Sequence, residues 1–183
     1  MSKSRRRVKA ALDKLGLEDT IRETAGATTA QMATDAVGCD VDKIGKSIIF
    51  LIGFLIGAIG QVVLFITAGG QQVDRRKAEA IVGETLSKAD ATLIRTTTEF
   101  AIGGISPVGH KTPYPIYFDE TLLKYDVIWV AASTPDMFLA SRLTYLHKKY
   151  QYKYLILLSN QNNVKMLNIF PKMAGVLHPS VVM

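Results

Sequence analysis

The residues best suited to act on a substrate run from Phe100 to Pro113: Phe-Ala-Ile-Gly-Gly-Ile-Ser-Pro-Val-Gly-His-Lys-Thr-Pro. Two adjacent glycines, Gly103 and Gly104, let backbone amides approach a ligand with no Cβ in the way. Pro107 fixes the direction in which the loop leaves, and Gly109 permits another tight bend. His110 and Lys111 bring polar groups just beyond it. An extended stretch follows, from Tyr114 to Phe118, and ends at Asp119-Glu120. A glycine loop feeding a strand is a common wall for a small-molecule pocket. Taken alone, Gly-Gly before a strand is usually only a turn.

Beyond this loop the chain offers little of the usual catalytic equipment. No Ser-His-Asp set, Cys-His pair or metal-ligand spacing stands out. His110, His147 and His178 are scattered, and the single cysteine, Cys39, reads as a small apolar residue at a helix end. Ser106 fails as a nucleophile elbow. The G-x-S-x-G pattern needs glycine where Val108 stands, and Pro107 removes the amide such an elbow contributes to its oxyanion hole. Ser106 reads instead as a loop-capping hydroxyl. No metal or cofactor is expected.

The string Gly103-Gly104-Ile105-Ser106-Pro107-x-Gly109 resembles the signature loop of the YbaK/prolyl-tRNA-synthetase-associated domain family, editing domains that hydrolyse mischarged aminoacyl-tRNA. Other segments agree in order and spacing. Thr29-Ala30-Gln31 opens a helix ending near Gly38-Cys39. The stretch from Asp42 to Phe50 is similar to the segment that carries the family's functional lysine, here Lys46. Val62 to Thr67, with Gly69, Gly70 and Val73-Asp74, is similar to its next strand and turn, and Asp126 to Val130 to a late core strand. The resemblance covers roughly residues 5–135.

The resemblance implies a free-standing aminoacyl-tRNA deacylase that removes a small wrong amino acid, such as alanine, cysteine or serine, by substrate-assisted hydrolysis, and the single cysteine makes a reducing cytoplasm the expected location. It implies catalytic roles for Lys46, Gly103 and Gly104. Lys46 would hold the terminal phosphate or the ester oxygen, and the glycines would supply backbone groups around the ester. Ser47, Ile105, Ser106, Pro107, Gly109, His110, Asp119 and Ser133 are expected to line the substrate. Ser47 would hydrogen-bond nearby, Asp119 would orient Lys46 or the substrate ammonium, and His110 would contact ribose or phosphate. Ser133 would face the side of Ala131, where some relatives carry serine. Without the resemblance, Lys46 reads as a solvated residue before an apolar strand. The expected partners are the tRNA acceptor end and a synthetase acting in trans, whose catalytic domain does not fit in 183 residues.

Charge divides the chain. Residues 1–136 hold 16 Lys/Arg and 16 Asp/Glu, while residues 137–183 hold six basic residues and no acidic one. The expected organisation is therefore an editing domain over 1–137 and a divergent basic tail over 138–183. A neutral body predicts no strong nucleic-acid field of its own. The tail interleaves tyrosines with lysines, which suits stacking on single-stranded nucleic acid as well as a plain amphipathic extension. The basic stretch Ser2 to Arg7 has no apolar run after it, so no signal peptide is expected.

Residues 48–67 are uncharged and long enough to cross a bilayer as a helix. Gly53, Gly57 and Gly60 interrupt them, and β-branched and aromatic flanks favour strands over 47–52 and 61–67 with an apolar tip. Membrane attachment through this segment and a non-catalytic nucleotide-binding module stand as alternatives, as does an inactive relative. Helical spacing of Val8, Ala11, Leu12 and Leu15 predicts a first helix closed by Gly16. Thr28 or Thr29 would cap a helix to about Val37, and Asp40 or Asp42 a short turn delivering Lys46. Asp74 would cap Arg75 to Val82, and Ser87 or Asp90 would start a helix to about Arg95. Further strands fit 114–118 and 127–132. The expected fold is α+β in a single domain, with a mixed, mostly antiparallel, barrel-like sheet and short surrounding helices.

Overall fold

The computed structural model describes residues 1–24, 26–27, 29–53, 60–144 and 146, and the backbone of 154–156 and 166–167. Among the described residues four helices form: α1 (Lys3–Leu15), α2 (Ala30–Val37), α3 (Arg75–Val82) and α4 (Ala91–Thr98). Each starts where a side chain accepts from free amides of the first turn. Ser2 serves α1, Thr29 serves α2 through Met32 N–H, Asp74 serves α3, and Asp90 serves α4. The first three stop at Gly16, Gly38 and Gly83, all left-handed, while Glu99 takes that conformation after α4 at φ 55°. Ser87 does not cap a helix. It lies in a short strand, and α4 runs to Thr98 rather than Arg95.

The strands are β1 (Ile21–Glu23), β2 (Ile44–Ile52), β3 (Gln61–Ala68), β4 (Ser87–Lys88), β5 (Ile116–Asp119), β6 (Ile128–Ala131), β7 (Met137–Ser141), β8 (Tyr154–Ile156) and β9 (Met166–Leu167). They form one mixed sheet in the order β1-β7-β6-β2-β3-β5-β8-β9, with β4 beside β2. Five of the pairings are antiparallel and three, β2·β6, β3·β5 and β5·β8, are parallel. Among the described residues the strand path is open and does not close into a barrel. β7 lies across the change of composition at 137, pairing with both β6 and β1.

The uncharged run resolves into antiparallel strands on either side of its tip. β2 and β3 pair from Gly45↔Ala68 to Ile52↔Gln61. Residues 54–59, the expected apolar tip, lie outside the described residues, as do His147, His178 and most of the tyrosine–lysine tail. Among the described residues no helix is long and apolar enough to cross a membrane.

Strand alternation distributes the apolar residues between two faces. On one face Leu64, Ile66 and Ala68 of β3 join Val8 and Leu12 of α1, Phe100, Ile105, Val108 and Val130 in the main core. On the other face two smaller clusters form. Ile44, Trp129 and Phe138 pack with Ala33 of α2, while Phe65 and Tyr117 pack with Ala78 and Ile81 of α3.

The sheet is incomplete beside β2. Along one edge β3 pairs with it from Gly45 to Ile52. Along the other, β6 pairs only with Ile44 and Gly45, and β4 only with Phe50 and Leu51. Lys46 to Ile49 thus have no strand on that edge among the described residues, and the sheet splits there.

Candidate functional site

Lys46 lies within β2, not on the turn before it. That turn is a single 3-10 turn, Val41–Lys43, preceded by Asp40, whose side chain makes no capping bond. Asp42 has another task. Its Oδ1 accepts from the Gly70 amide at 2.9 Å, which fastens the turn after β3 to the turn before β2. Both glycines of that turn are needed for the close approach. A Cβ at Gly69 would lie 2.1 Å from the Val41 carbonyl oxygen, and one at Gly70 2.7 Å from Asp42 Oδ1. The docked turn presents the Gln71 carbonyl, to which Lys46 Nζ donates at 2.6 Å.

The Lys46 ammonium is half-buried. Burial pulls its pKa below the ordinary lysine range, and the Asp42 carboxylate opposes that shift. Its neighbours along β2 on the same face are Ile44 of one small cluster and Ile48, which packs against the other. Across the hairpin stands Thr67, wholly buried, whose Oγ1 has no hydrogen-bond partner among the described residues. A charge in a seam between two apolar clusters, beside a buried hydroxyl, is suited to holding an anionic or carbonyl oxygen.

Ser47 points to the opposite face and pairs with Ile66. Its hydroxyl donates to the Ile105 carbonyl at 2.6 Å, which ties the glycine loop to the split edge of the sheet. Ile105, Ser106, Pro107 and Val108 are buried in this docking. Ser106 Oγ accepts from Val108 N–H at 3.2 Å, as a loop-capping hydroxyl does. Gly104 closes the loop through its amide to the Ala101 carbonyl at 2.9 Å and accepts from Ser133 N–H at 3.0 Å. A Cβ at Gly104 would lie 2.5 Å from Thr134 backbone atoms. Gly103 is left-handed at φ 82° and exposed, and faces Pro135.

The far end of the loop rests on α1. Gly109, at φ 81°, packs so closely that a Cβ would come within 2.9 Å of Arg7 and Val8 backbone atoms. Arg7 Nε donates to the Gly109 carbonyl at 3.1 Å, and its guanidinium covers the Phe100 ring. His110 sits against Phe100 and Tyr114, with Tyr114 Oη 2.6 Å from His110 Nδ1. Burial pushes the imidazole pKa down to about 4, assisted by the Arg7 charge and opposed by hydrogen bonds to the Ser106 and Pro107 backbone. Burial also raises the Tyr114 phenol.

Thus Lys46 is on one face of the sheet, while Ser47 and the loop from Ile105 to His110 are on the other. Gly103, Gly104 and Ser133 meet at the end of β6. Asp119 is not joined to Lys46. Its Oδ2 accepts from the Ala68 amide at 3.2 Å and its Oδ1 from the Thr121 amide at 2.8 Å. Ser133 departs from the alternation expected after Ala131, because β6 ends there and Ser133 turns to φ 123°. Its hydroxyl is buried and lies 3.4 Å from Met137 Sδ. Thr67 and Gln71 around Lys46 escaped the sequence reading, and Asp42 entered it only as a cap for the turn. The hairpin register Lys46↔Thr67 and the Gly69-Gly70 pair were the signals that could have found them. Among the described residues no group of three His, Cys, Asp or Glu is placed to hold a metal ion.

The chain matches the aminoacyl-tRNA editing domain over residues 24–148, and it belongs to that family. It is similar to a proposed trans-editing enzyme for prolyl tRNA synthetase, with a TM-score of 0.77 and 36% identity, over 88% of this chain and 99% of that one. A structure solved in work on grafting linear epitopes onto scaffold proteins is similar to the same degree, with a TM-score of 0.77, 34% identity, and 88% and 100% of the two chains covered. The uncharacterized protein YwhH of Bacillus subtilis (strain 168) is 27% identical over 112 residues, 61% of this chain and 68% of its own. The hypothetical protein APE2540 shares the fold, with a TM-score of 0.69 and 19% identity, over 78% of this chain and 92% of that one.

Proposed function

We propose that this chain is a free-standing aminoacyl-tRNA deacylase, editing in trans, that hydrolyses the ester of a small amino acid. The observation that carries the reading is the split in the sheet beside Lys46 to Ile49. Alternation along β2 there turns the half-buried Lys46 ammonium to one side and Ser47, which anchors the glycine loop, to the other. Membership of the editing family and the similarity to a proposed trans-editing enzyme support the same reaction class.

The substrate is an activated ester, so the demand on the protein is geometric and electrostatic. Water attacks the ester carbonyl carbon, and the carbonyl oxygen takes up the negative charge. The tetrahedral carbon then expels the ribose oxygen. The proton lost by water passes to that oxygen through the vicinal ribose hydroxyl, so free amino acid and intact tRNA leave. Lys46 holds the terminal phosphate or the developing oxyanion by charge. Gly103, exposed at the turn of the loop, admits the ester next to backbone, and Gly104 seats the loop against the Thr134 backbone. Ser47 positions the loop, and His110, neutral above its lowered pKa, supports it from behind. Pocket size selects the amino acid, and one methylene is worth only about 1–3 kcal/mol, so a synthetase partner in trans would sharpen selection.

Release of labelled amino acid from a panel of mischarged tRNAs tests the proposal. Turnover of one small aminoacyl ester is expected. A folded protein that binds aminoacyl-adenosine yet hydrolyses no member of the panel would contradict it and leave a binding module.

A further inference from the structure

The even charge totals of residues 1–136 conceal an uneven placement in space. Lys3, Arg6, Arg7, Ala10 and Lys14 recur at three- and four-residue intervals along α1, so they lie on one stripe. The opposite stripe, Val8, Ala11 and Leu12, is buried in the main core. Lys3, Arg6, Arg7 and Ala10, with Glu99 and Lys111, line a concavity of about 300 Å³. Four cations and one carboxylate give that lining a net charge of +3. The single carboxylate is shared: Lys111 Nζ lies 2.6 Å and Arg7 3.4 Å from Glu99, and the Lys3 charge also acts on it. Arg6 is exposed and its side chain has no ion-pair partner among the described residues. The first turn of α1 holds no acidic residue, so these cations oppose the helix dipole. An external polyanion would relieve that repulsion.

We infer that this stripe of α1, with Lys111, binds the sugar-phosphate backbone of RNA and so orients the tRNA toward the loop. The inference rests on the deacylase reading for its identity of partner, but the surface stands on its own charge. Arg7 makes the two continuous, because the residue that lines the concavity also donates to the Gly109 carbonyl at the end of the glycine loop. A nucleic-acid backbone fits better than an anionic bilayer. Interfacial helices insert an apolar face, and that face of α1 is committed to the core. Ala10 in mid-stripe leaves room for close approach. Lys3 to Lys14 spans roughly 16 Å along the helix, enough to meet several phosphates.

The test is fluorescence anisotropy with uncharged tRNA through a salt titration, comparing wild type with Lys3→Ala/Arg6→Ala and with Arg6→Glu. Both residues are exposed, and unchanged melting certifies the fold. Each phosphate contact removed lowers the slope of log affinity against log salt by about 1. The double variant is expected to bind at least about tenfold more weakly, with a slope shallower by about 2. Unchanged affinity and slope would overturn the inference. So would loss of binding only to phosphatidylserine vesicles, which would assign the stripe to a membrane. Wild type that binds tRNA through these residues but deacylates nothing refutes the reaction and keeps the surface. Wild type that deacylates while the double variant binds tRNA normally does the reverse.

Discussion

Lys46 on β2 and Thr67 on β3 are register partners, one bringing a half-buried charge and the other a fully buried hydroxyl to the same face of the sheet. Their place is set by the turn after β3, where Gly70 docks on Asp42 and leaves the Gln71 carbonyl beside the ammonium. The lysine is therefore held at the open end of the β2–β3 pair by strand register and by the docked turn, which is what a positioned charge requires.

Ser47→Ala removes the hydrogen bond between β2 and the glycine loop. A stability loss of about 1 kcal/mol is expected in urea denaturation. Deacylation is expected to fall further than that small loss explains, because the loop would no longer be pinned to the split edge. Equal activity in the variant would remove Ser47 from the positioning role.

Gly104→Ala would force a Cβ against Thr134 backbone, which cannot swing aside as a side chain can. A loss of about 1–3 kcal/mol is expected. Gly26→Ala is the comparison, since Gly26 is left-handed at φ 75° but has nothing within 4 Å of the place a methyl would take. That variant bears only the conformational cost, about 1 kcal/mol. Thermal melts of the two should separate them, with Gly104→Ala the lower and the less active.

His110 predicts an acid-side loss of stability. Its pKa is about 4 in the fold against 6.5 when unfolded, with Arg7 and Tyr114 the charged and titratable groups beside it. The unfolded chain therefore binds the extra proton first as pH falls. The contribution is complete above 6.5 and is lost progressively down to about 4. The full difference is worth about 3 kcal/mol. Denaturant midpoints measured across that window should fall for wild type and fall less for His110→Gln. Parallel curves would mean that the imidazole protonates freely in the fold.

Much of this arrangement was legible in the chain. Asp74, Asp90 and Thr29 mark helix starts by the chemistry of their side-chain oxygens, and the glycines at 16, 38 and 83 mark the stops. Alternation and β-branching placed β2 and β3. Less legible were β1 and β7, whose short runs carry no strong period and are fixed by pairing with each other. The partners of Asp119 were not legible: its carboxylate accepts from the amides of Ala68 and Thr121, and the first of these lies 51 residues away in the chain. The basic stripe of α1 was hidden for a related reason. Totals over 1–136 cancel, but the acidic residues that balance it lie largely elsewhere on the surface, and only the folded chain reveals what faces Glu99.

The most direct test of the account is single-turnover deacylation of the mischarged tRNA that wild type cleaves, compared with Lys46→Ala. The account predicts a rate loss of about 10²–10³, the scale of removing one preorganised electrostatic partner, with a melting temperature close to wild type. A well-folded Lys46→Ala protein that releases the amino acid at the wild-type rate would contradict it.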